Sequence, residues 1–207
     1  NGDNAIGYYL TNGSSFTNLG GTIAVNGQNI TLMITDSSSS INLSTPFTVN
    51  SAPGSTYVVG NMIGGDFYNN TSATLGSNGS LINGIGTAAL FGLSSNINST
   101  GTNVSGMVLS GQHSGVPGHV VSGSGITVNE EGTNLGSITL GDSSAGMYLT
   151  GGARGRNEGT ITLTNNSVGI YAEGAGSHIV NNNGIITIGQ ESTGMFLKDG
   201  DTILNSG

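Results

Sequence analysis

The sequence GTITLTNNSVGIYA, at residues 159–172, is built from two short runs in which aliphatic and polar residues alternate. A polar turn rich in Asn joins the two runs. Alternation of β-branched residues with a period of two, bounded by Gly and Asn, is typical of β-strands. The stretch therefore predicts two short strands connected by one turn.

The same unit occurs on both sides of this stretch. Residues 136–149 read GSITLGDSSAGMYL and residues 184–197 read GIITIGQESTGMFL, and both align with it without a gap. The leading glycines of the three copies are 23 and 25 residues apart, and Gly207 follows the last of them by another 23. A fixed period of this length is the signature of a repeat architecture.

Two earlier stretches, residues 21–34 and 79–91, keep the same offset between their two runs. A third short run precedes the next copy, as at residues 177–180. Three short strands in a repeating unit of 23 to 25 residues are typical of a β-helix, in which equivalent strands of successive coils pair at ~4.8 Å. We therefore predict an all-β fold, a right-handed parallel β-helix with three short strands per coil.

The domain organisation follows from the same periodicity. We expect one β-helix over residues 1–207, with regular coils at 1–34 and 133–207 and coils with loop insertions at 35–132, where a serine run and three prolines interrupt the pattern. The first and last residues both fall inside a repeat, so the chain is expected to be a fragment of a longer solenoid.

Alternation also assigns the two faces of each strand. In the copy at 159–172, Ile161 and Ile170 are predicted to point into the coil together with Val168. Gly169 and Tyr171 are predicted to point outward.

The composition excludes several other classes of protein. The chain of 207 residues has 38 Gly but only three Pro and no Gly at every third position, which excludes a collagen helix. Its hydrophobic content of 34% and charged content of 7% are unlike those of a disordered chain. A net charge of −8 with only three Lys and Arg predicts no nucleic-acid partner, and the absence of Cys excludes disulfides.

The repeated unit, N-x-G-[STI]-I-T-[LI] followed by a polar turn and G-[IM]-[YF]-[AL], resembles the repeats in passenger domains of large Gram-negative autotransporters, especially fusobacterial outer-membrane adhesins. The match is clearest over residues 134–207 and 1–34. The resemblance implies type V secretion, with a signal peptide and a C-terminal membrane β-barrel outside this fragment. It also implies an outer-membrane protein whose passenger is exposed at the cell surface and attaches to host cells or to other bacteria.

Aromatic residues are the first candidates for a binding surface. Tyr148, Tyr171 and Phe196 occupy equivalent outward positions, and Tyr9 has the same phase near the start. Flat rings exposed in a column suit sugar rings or apolar side chains of a partner, but stacked aromatic residues also stabilise a sheet without binding anything. The glycines that flank the column are predicted to face outward as well: Gly146, Gly169 and Gly194.

The most distinctive insertion is QHSGVPGH at residues 112–119. Its two histidines, His113 and His119, are candidates for a recognition loop. Two histidines without a third ligand do not predict a metal site, so no metal and no cofactor is expected. The pair Glu130-Glu131 is predicted to lie in a solvated turn.

An enzyme on this scaffold would need clustered carboxylates. The best cluster in the sequence is Lys198, Asp199 and Asp201, with Glu173 one coil below. Two basic residues, Arg154 and Arg156, are expected two coils below it.

These residues lack the pattern of a known catalytic or calcium site, so no enzyme activity is predicted. The leading hypothesis is a surface-displayed adhesin segment that binds a host receptor protein, a glycan or partner bacteria. The alternatives are a structural spacer of an autotransporter and a glycan-degrading β-helix enzyme.

Overall fold

The computed structural model describes residues 2–114, 117–175, 179–199 and 202–207. This part of the chain forms 25 β-strands, numbered β1 to β25 in chain order, and contains no helix. The described residues therefore include no helix that could cross a membrane. Of the predicted third run at 177–180, Ser177 and His178 lie outside the described residues.

Three parallel sheets run along the whole molecule, and each receives about one strand from every coil. Sheet 1 consists of eight strands: β1 (Ile6–Leu10), β4 (Ile30–Thr35), β7 (Tyr57–Ile63), β10 (Gly79–Ile85), β13 (Val104–Ser110), β18 (Ala145–Thr150), β21 (Val168–Glu173) and β24 (Thr193–Leu197). Sheet 2 also has eight strands: β2 (Ser15–Thr17), β5 (Ser40–Leu43), β8 (Asp66–Asn69), β11 (Ala88–Phe91), β16 (Gly132–Asn134), β19 (Gly155–Asn157), β22 (Ile179–Asn182) and β25 (Thr202–Asn205).

Sheet 3 has seven strands: β3 (Gly21–Val25), β6 (Phe47–Ser51), β9 (Ser72–Leu75), β12 (Asn96–Asn98), β17 (Ser137–Leu140), β20 (Thr160–Leu163) and β23 (Ile185–Thr187). A separate antiparallel hairpin is formed by β14 (His119–Val120) and β15 (Thr127–Val128). Each strand of the three large sheets pairs with the equivalent strand of the next coil, as Ile161 does with Ile138 and Ile186. The predicted all-β parallel β-helix with three strands per coil is thereby confirmed.

Eight coils stack along the axis, and seven steps of ~4.8 Å make the stack about 34 Å long. Between residues 35 and 110 the coils stay regular, because paired residues are 22 to 27 positions apart. Pro46 and Pro53 lie in turns next to β6 and leave the sheets intact. The long insertion is confined to residues 111–131, where the spacing of paired residues rises to between 40 and 43.

The interior is one continuous apolar core that extends from the first coil to the last ones. Ile161 and Ile170 are fully buried in it, as the alternation predicted. The equivalent positions of neighbouring coils stack on them, so each coil buries its aliphatic residues against the next. This burial between neighbours supplies the apolar contacts that a single coil lacks.

The predicted faces of Val168 and Gly169 are wrong. Val168 lies in an outward column that pairs with Ala145 and Thr193, while Gly169 and Ile170 are both buried, so the alternation slips by one residue. A Cβ on Gly169 would lie 2.8 Å from Cγ2 of Ile186. This inward position is occupied by glycine because the carbonyl oxygen of Gly194 and Cγ2 of Ile186 fill the space that a side chain would need.

The same correction applies to the other two glycines that flank the aromatic column. Gly146 is buried, and its missing Cβ leaves room for Cγ2 of Ile161 at 2.9 Å. Gly194 occupies the equivalent position in the last coil and is partly buried. Gly146 and Gly169 are therefore packing positions of the core, whereas a Cβ on Gly194 would meet no atom within 4 Å.

A ladder of buried asparagine side chains follows one edge of sheet 2. Asn134 donates from Nδ2 to Oδ1 of Asn157 at 2.8 Å, Asn157 donates to Asn182 at 2.8 Å, and Asn182 donates to Asn205 at 2.8 Å. Asn134 and Asn157 are fully buried. Each amide thus bonds the next coil as the backbone does, which is the arrangement that stabilises stacked strands in other repetitive sheets.

The insertion folds back over the outer face of sheet 2. Val121 and Val128 of its hairpin are buried against Ala88 and Leu90 of β11 and form a second, small apolar cluster. Both faces of β11 are consequently covered. The hairpin is thus packed on the β-helix and has its own buried contacts.

Candidate functional site

The outer face of sheet 1 carries a groove parallel to the axis of the β-helix. Two cavities of about 550 and 480 Å³ follow one another along it and share Asn103 and Ser105 as lining residues. The groove extends from Asn29 to Glu191, which is about 29 Å at ~4.8 Å per coil.

One wall of the groove is a column of turn residues with left-handed backbone conformation. Asn29, Asn78, Asn103 and Asn166 have φ angles of 54 to 58°. Asn tolerates this region better than most residues because its short polar side chain bonds locally. Asn103 donates to Oδ1 of Asn78 at 3.0 Å, so two amide groups of this wall hold each other in place.

The opposite wall is the outward column of sheet 1, which contains the predicted aromatic residues. Tyr148 pairs with Tyr171 and Tyr171 with Phe196, as predicted from the repeat. The ring centroids are 4.9 and 5.0 Å apart, with planes inclined by only 3° and 12°. Tyr171 therefore has a ring on each side and presents mainly its edge to the groove. An aromatic residue that stacks on a sugar ring would need one of its flat faces to be open.

Tyr9 belongs to the same column but lies far from the other three rings. It pairs with Ile34, and the column then continues through Asn61, Asn83 and Val108 before it reaches Tyr148. Its side chain is 71% exposed. The structure thus brings Tyr148, Tyr171 and Phe196 together and leaves Tyr9 at the other end.

Glu173 closes the aromatic column on the side away from the groove. Tyr148 donates its hydroxyl to Oε1 of Glu173 at 2.7 Å, and Tyr171 donates to Oε2 at 2.8 Å. These bonds lower the pKa of Glu173. Lys198 lies 4.0 Å from the same carboxylate, which agrees with the expectation that Glu173 lies one coil below it.

The hydroxyl of Tyr148 provides a test of this arrangement. Its bond to Glu173 raises the pKa of Tyr148 to about 12, because ionisation would place two negative charges side by side. Below pH 10 this protonated bond contributes to stability, and the contribution is lost as the pH rises from 10 to 12. In a ¹³C NMR titration of the tyrosine rings, we expect the change Glu173→Gln to lower the pKa of Tyr148 markedly. Tyr68, whose pKa is raised by burial alone, is the control and should not move.

The expected acidic and basic cluster is only partly assembled. Oδ2 of Asp199 accepts a bond from the backbone of Gly174 at 3.2 Å, and Asp201 lies outside the described residues. Arg154 and Arg156 lie elsewhere, beside sheet 2, where they bind Glu131 and Glu158. The basic residues therefore do not face Lys198.

The prediction of a solvated turn at Glu130-Glu131 is wrong. Glu131 is fully buried, and its carboxylate accepts bonds from the backbone N of Arg154 at 2.8 Å and from Nε at 3.2 Å. Glu130 is 8% exposed and accepts a bond from Asn181 at 2.9 Å. These carboxylates are buried because they connect the end of the insertion to later coils.

The two histidines of the insertion meet a carboxylate that the sequence analysis did not consider. Nε2 of His119 lies 2.8 Å from Oδ1 of Asp66, and Nε2 of His113 lies 3.8 Å from the same oxygen. The two imidazole centroids are 4.6 Å apart. Asp66 begins β8 and is separated from His119 by 53 residues, so no local motif could have indicated this cluster.

Burial shapes the protonation of this cluster. The side chain of His113 is 9% exposed and that of Asp66 11% exposed. Burial lowers the pKa of His113 and the neighbouring His119 acts in the same direction, whereas Asp66 and Glu131 partly oppose them. His113 is therefore neutral at neutral pH and keeps a free nitrogen lone pair.

The comparison with known proteins agrees with this architecture. Residues 1–207, the whole chain, match the family model described as BigA third pectate lyase-like domain. No curated protein and no solved structure matches the chain. Since the match covers every residue and the structure is a parallel β-helix, the chain belongs to the family of BigA third pectate lyase-like domains.

Proposed function

We propose that this chain is an adhesive segment of a surface-displayed bacterial passenger domain and that it binds an extended, uncharged glycan in the groove of sheet 1. Membership of the BigA family supports a bacterial surface-associated protein. The resemblance of the repeats to autotransporter passengers supports secretion by the type V route and display at the outer membrane.

The groove is the observation that carries the proposal. It is open along its length, so a linear polymer can lie in it without threading through the protein. Its walls combine amide groups of Asn78 and Asn103 with apolar surface from Val108 and Val168. A sugar chain offers hydroxyl groups and apolar ring faces in alternation, which suits such a lining.

Charge favours a neutral polymer over an acidic one. Among the described residues that line the two cavities, Glu191 carries the only charge. The chain as a whole has a net charge of −8, which repels polyanions at low salt. Hydrogen bonding and apolar contact, which do not depend on a ligand charge, therefore dominate the expected recognition.

The change Ser105→Trp tests the groove at its midpoint. Ser105 is an outward residue of β13 that lines both cavities, so an indole at this position fills the groove without entering the core. We expect binding of the 207-residue chain to neutral glycans on an array, and to host or bacterial cells, to fall by at least about tenfold. The matched control is Thr139→Trp, which places the same side chain on the exposed face of sheet 3.

Binding that survives Ser105→Trp unchanged would refute the groove. The triple change of Tyr148, Tyr171 and Phe196 to Ser then separates the two halves of the groove, since Tyr171 and Phe196 line only the second cavity and Tyr148 stacks on Tyr171. A chain that binds no glycan and no cell in either form acts as a spacer.

Glycan cleavage is a second candidate, favoured by the pectate lyase-like family and by the carboxylates of Glu173 and Asp199 beside the aromatic column. Incubation with neutral polysaccharides and with polygalacturonate, followed by measurement of new chain ends, tests it. Turnover that is lost in Asp199→Asn would replace the adhesive function with an enzymatic one.

A further inference from the structure

The insertion contains a cluster of metal-ligating side chains that the groove does not use. We propose that Asp66, His113 and His119 bind a divalent transition-metal ion, with Zn²⁺ as the best fit, and that this ion fastens the insertion to the β-helix. One oxygen and two nitrogens are available, and these atoms all lie within 4.8 Å of one another.

The donor types suit zinc and its neighbours in the periodic table. Two imidazole nitrogens and one carboxylate oxygen are a common protein ligand set for Zn²⁺, which takes water or another group as its fourth ligand. Calcium and magnesium prefer a shell made of oxygen atoms, so two imidazoles disfavour them. The ligand set therefore selects for a transition metal.

The distances are close to those that a tetrahedral ion requires. Bonds of about 2.0–2.1 Å to zinc place neighbouring ligand atoms about 3.3 Å apart. The separations from Oδ1 of Asp66 are 2.8 Å to His119 and 3.8 Å to His113, one shorter and one longer than this value. Shifts of about half an ångström at each histidine bring both atoms to the required separation from Asp66. The two imidazole nitrogens lie within 4.8 Å of each other and would close by up to about 1.5 Å.

Nε2 of His113 faces Asp66 without a hydrogen bond to it. It lies 3.8 Å from Oδ1, beyond hydrogen-bond distance, although the side chain of His113 is only 9% exposed. A cation placed between these two atoms would join them, since each can give it a lone pair.

The surroundings prepare the ligands for coordination. Oδ2 of Asp66 accepts a bond from the backbone N of Ser122 at 2.8 Å, which orients the carboxylate. The backbone N of His113 bonds Oε1 of Glu131 at 3.3 Å, which fixes the start of the insertion.

Titration of the whole 207-residue chain with ZnCl₂ tests the site. We expect one ion per chain in isothermal titration calorimetry and a rise in Tm when the metal is added. In ¹⁵N–¹H NMR of the imidazoles, the signals of His113 and His119 should shift on addition of Zn²⁺. Substitution of Co²⁺ should give the visible absorption bands of a four-coordinate ion.

Variants identify the ligands. His119→Ala and Asp66→Asn should each weaken Zn²⁺ binding by at least about 100-fold, the upper end of what loss of an outer-shell partner costs. Glu158→Gln, which removes a carboxylate from the exposed pair with Arg156, is the control and should bind as the unchanged chain does. Unchanged imidazole signals at saturating Zn²⁺ in the unmutated chain would overturn the proposal, as would full Zn²⁺ binding in the double variant with His113→Ala and His119→Ala.

Discussion

Replacing Arg154 with Met is expected to lower the free energy of unfolding by about 3–5 kcal/mol. The guanidinium lies against Glu131, with Nε 3.2 Å from Oε2 and Nη2 3.3 Å from Oε1. The side chain of Glu131 is 0% exposed, and without the arginine its charge keeps only the backbone N–H groups of Arg154 and His113 as partners. A buried charge that has lost its counter-ion is among the most destabilising changes in a protein.

The matched control is Arg156→Met. Arg156 pairs with Glu158, but these side chains are 33% and 37% exposed. Pairs in contact with water contribute about 0–1 kcal/mol, so this variant should lose far less. Urea denaturation followed by circular dichroism measures both variants. Equal losses would mean that the burial of Glu131 has no special cost.

Replacing Asn157 with Ala is the second change with a large expected effect. Asn157 is the middle amide of the buried ladder, accepting from Asn134 and donating to Asn182. Its removal leaves one buried donor and one buried acceptor without their partners, at about 1–3 kcal/mol each. The expected loss in the free energy of unfolding is therefore about 2–6 kcal/mol.

The control for this change is Asn50→Ala, an exposed asparagine in β6. Surface substitutions of this kind usually stay within about 0.5 kcal/mol. Hydrogen exchange adds a spatial readout, since loss of the ladder should reduce protection in β16, β19 and β22 first. A loss no greater than that of Asn50→Ala would show that the neighbouring amides find other partners.

Periodic features were predictable because the same residue types return at the same phase in each coil. The alignment of Ile138, Ile161 and Ile186 is such a case, and the structure pairs these residues directly. The column of Tyr148 and Tyr171 follows from the same register. The position of a side chain is therefore predictable wherever its residue type repeats once per coil.

The asparagine ladder is visible in the sequence as the first residue of the N-x-G in each repeat, but its side-chain bonds were not predicted. Asn134, Asn157 and Asn182 each stand two residues before the leading glycine of a repeat, a constant offset that indicates a structural position. A polar residue kept at an inward phase in every copy predicts side-chain bonds between coils. The pattern was therefore available, although its burial was not evident from residue type alone.

Other features depended on details that no period encodes. Strict alternation placed Gly169 outside, but the packing of Ile186 requires an inward position without a side chain. Asp66 and His119 meet only because the hairpin of the insertion folds back onto sheet 2. Tertiary packing sets the direction in which an insertion folds. The spacing of charged residues along the sequence therefore could not predict this contact.

The insertion also changes how the rod is expected to respond to mechanical load. In a solenoid each repeat contacts only its neighbours, so repeats can detach one after another. Here the insertion makes contacts well beyond its own coil. His119 bonds Asp66 in β8, and the hairpin packs on β11. At the end of the insertion, Glu131 binds Arg154 and Glu130 bonds Asn181 in β22. These contacts span five consecutive strands of sheet 2. Under tension along the axis, this block should rupture as a single unit, with the coils on either side yielding before it.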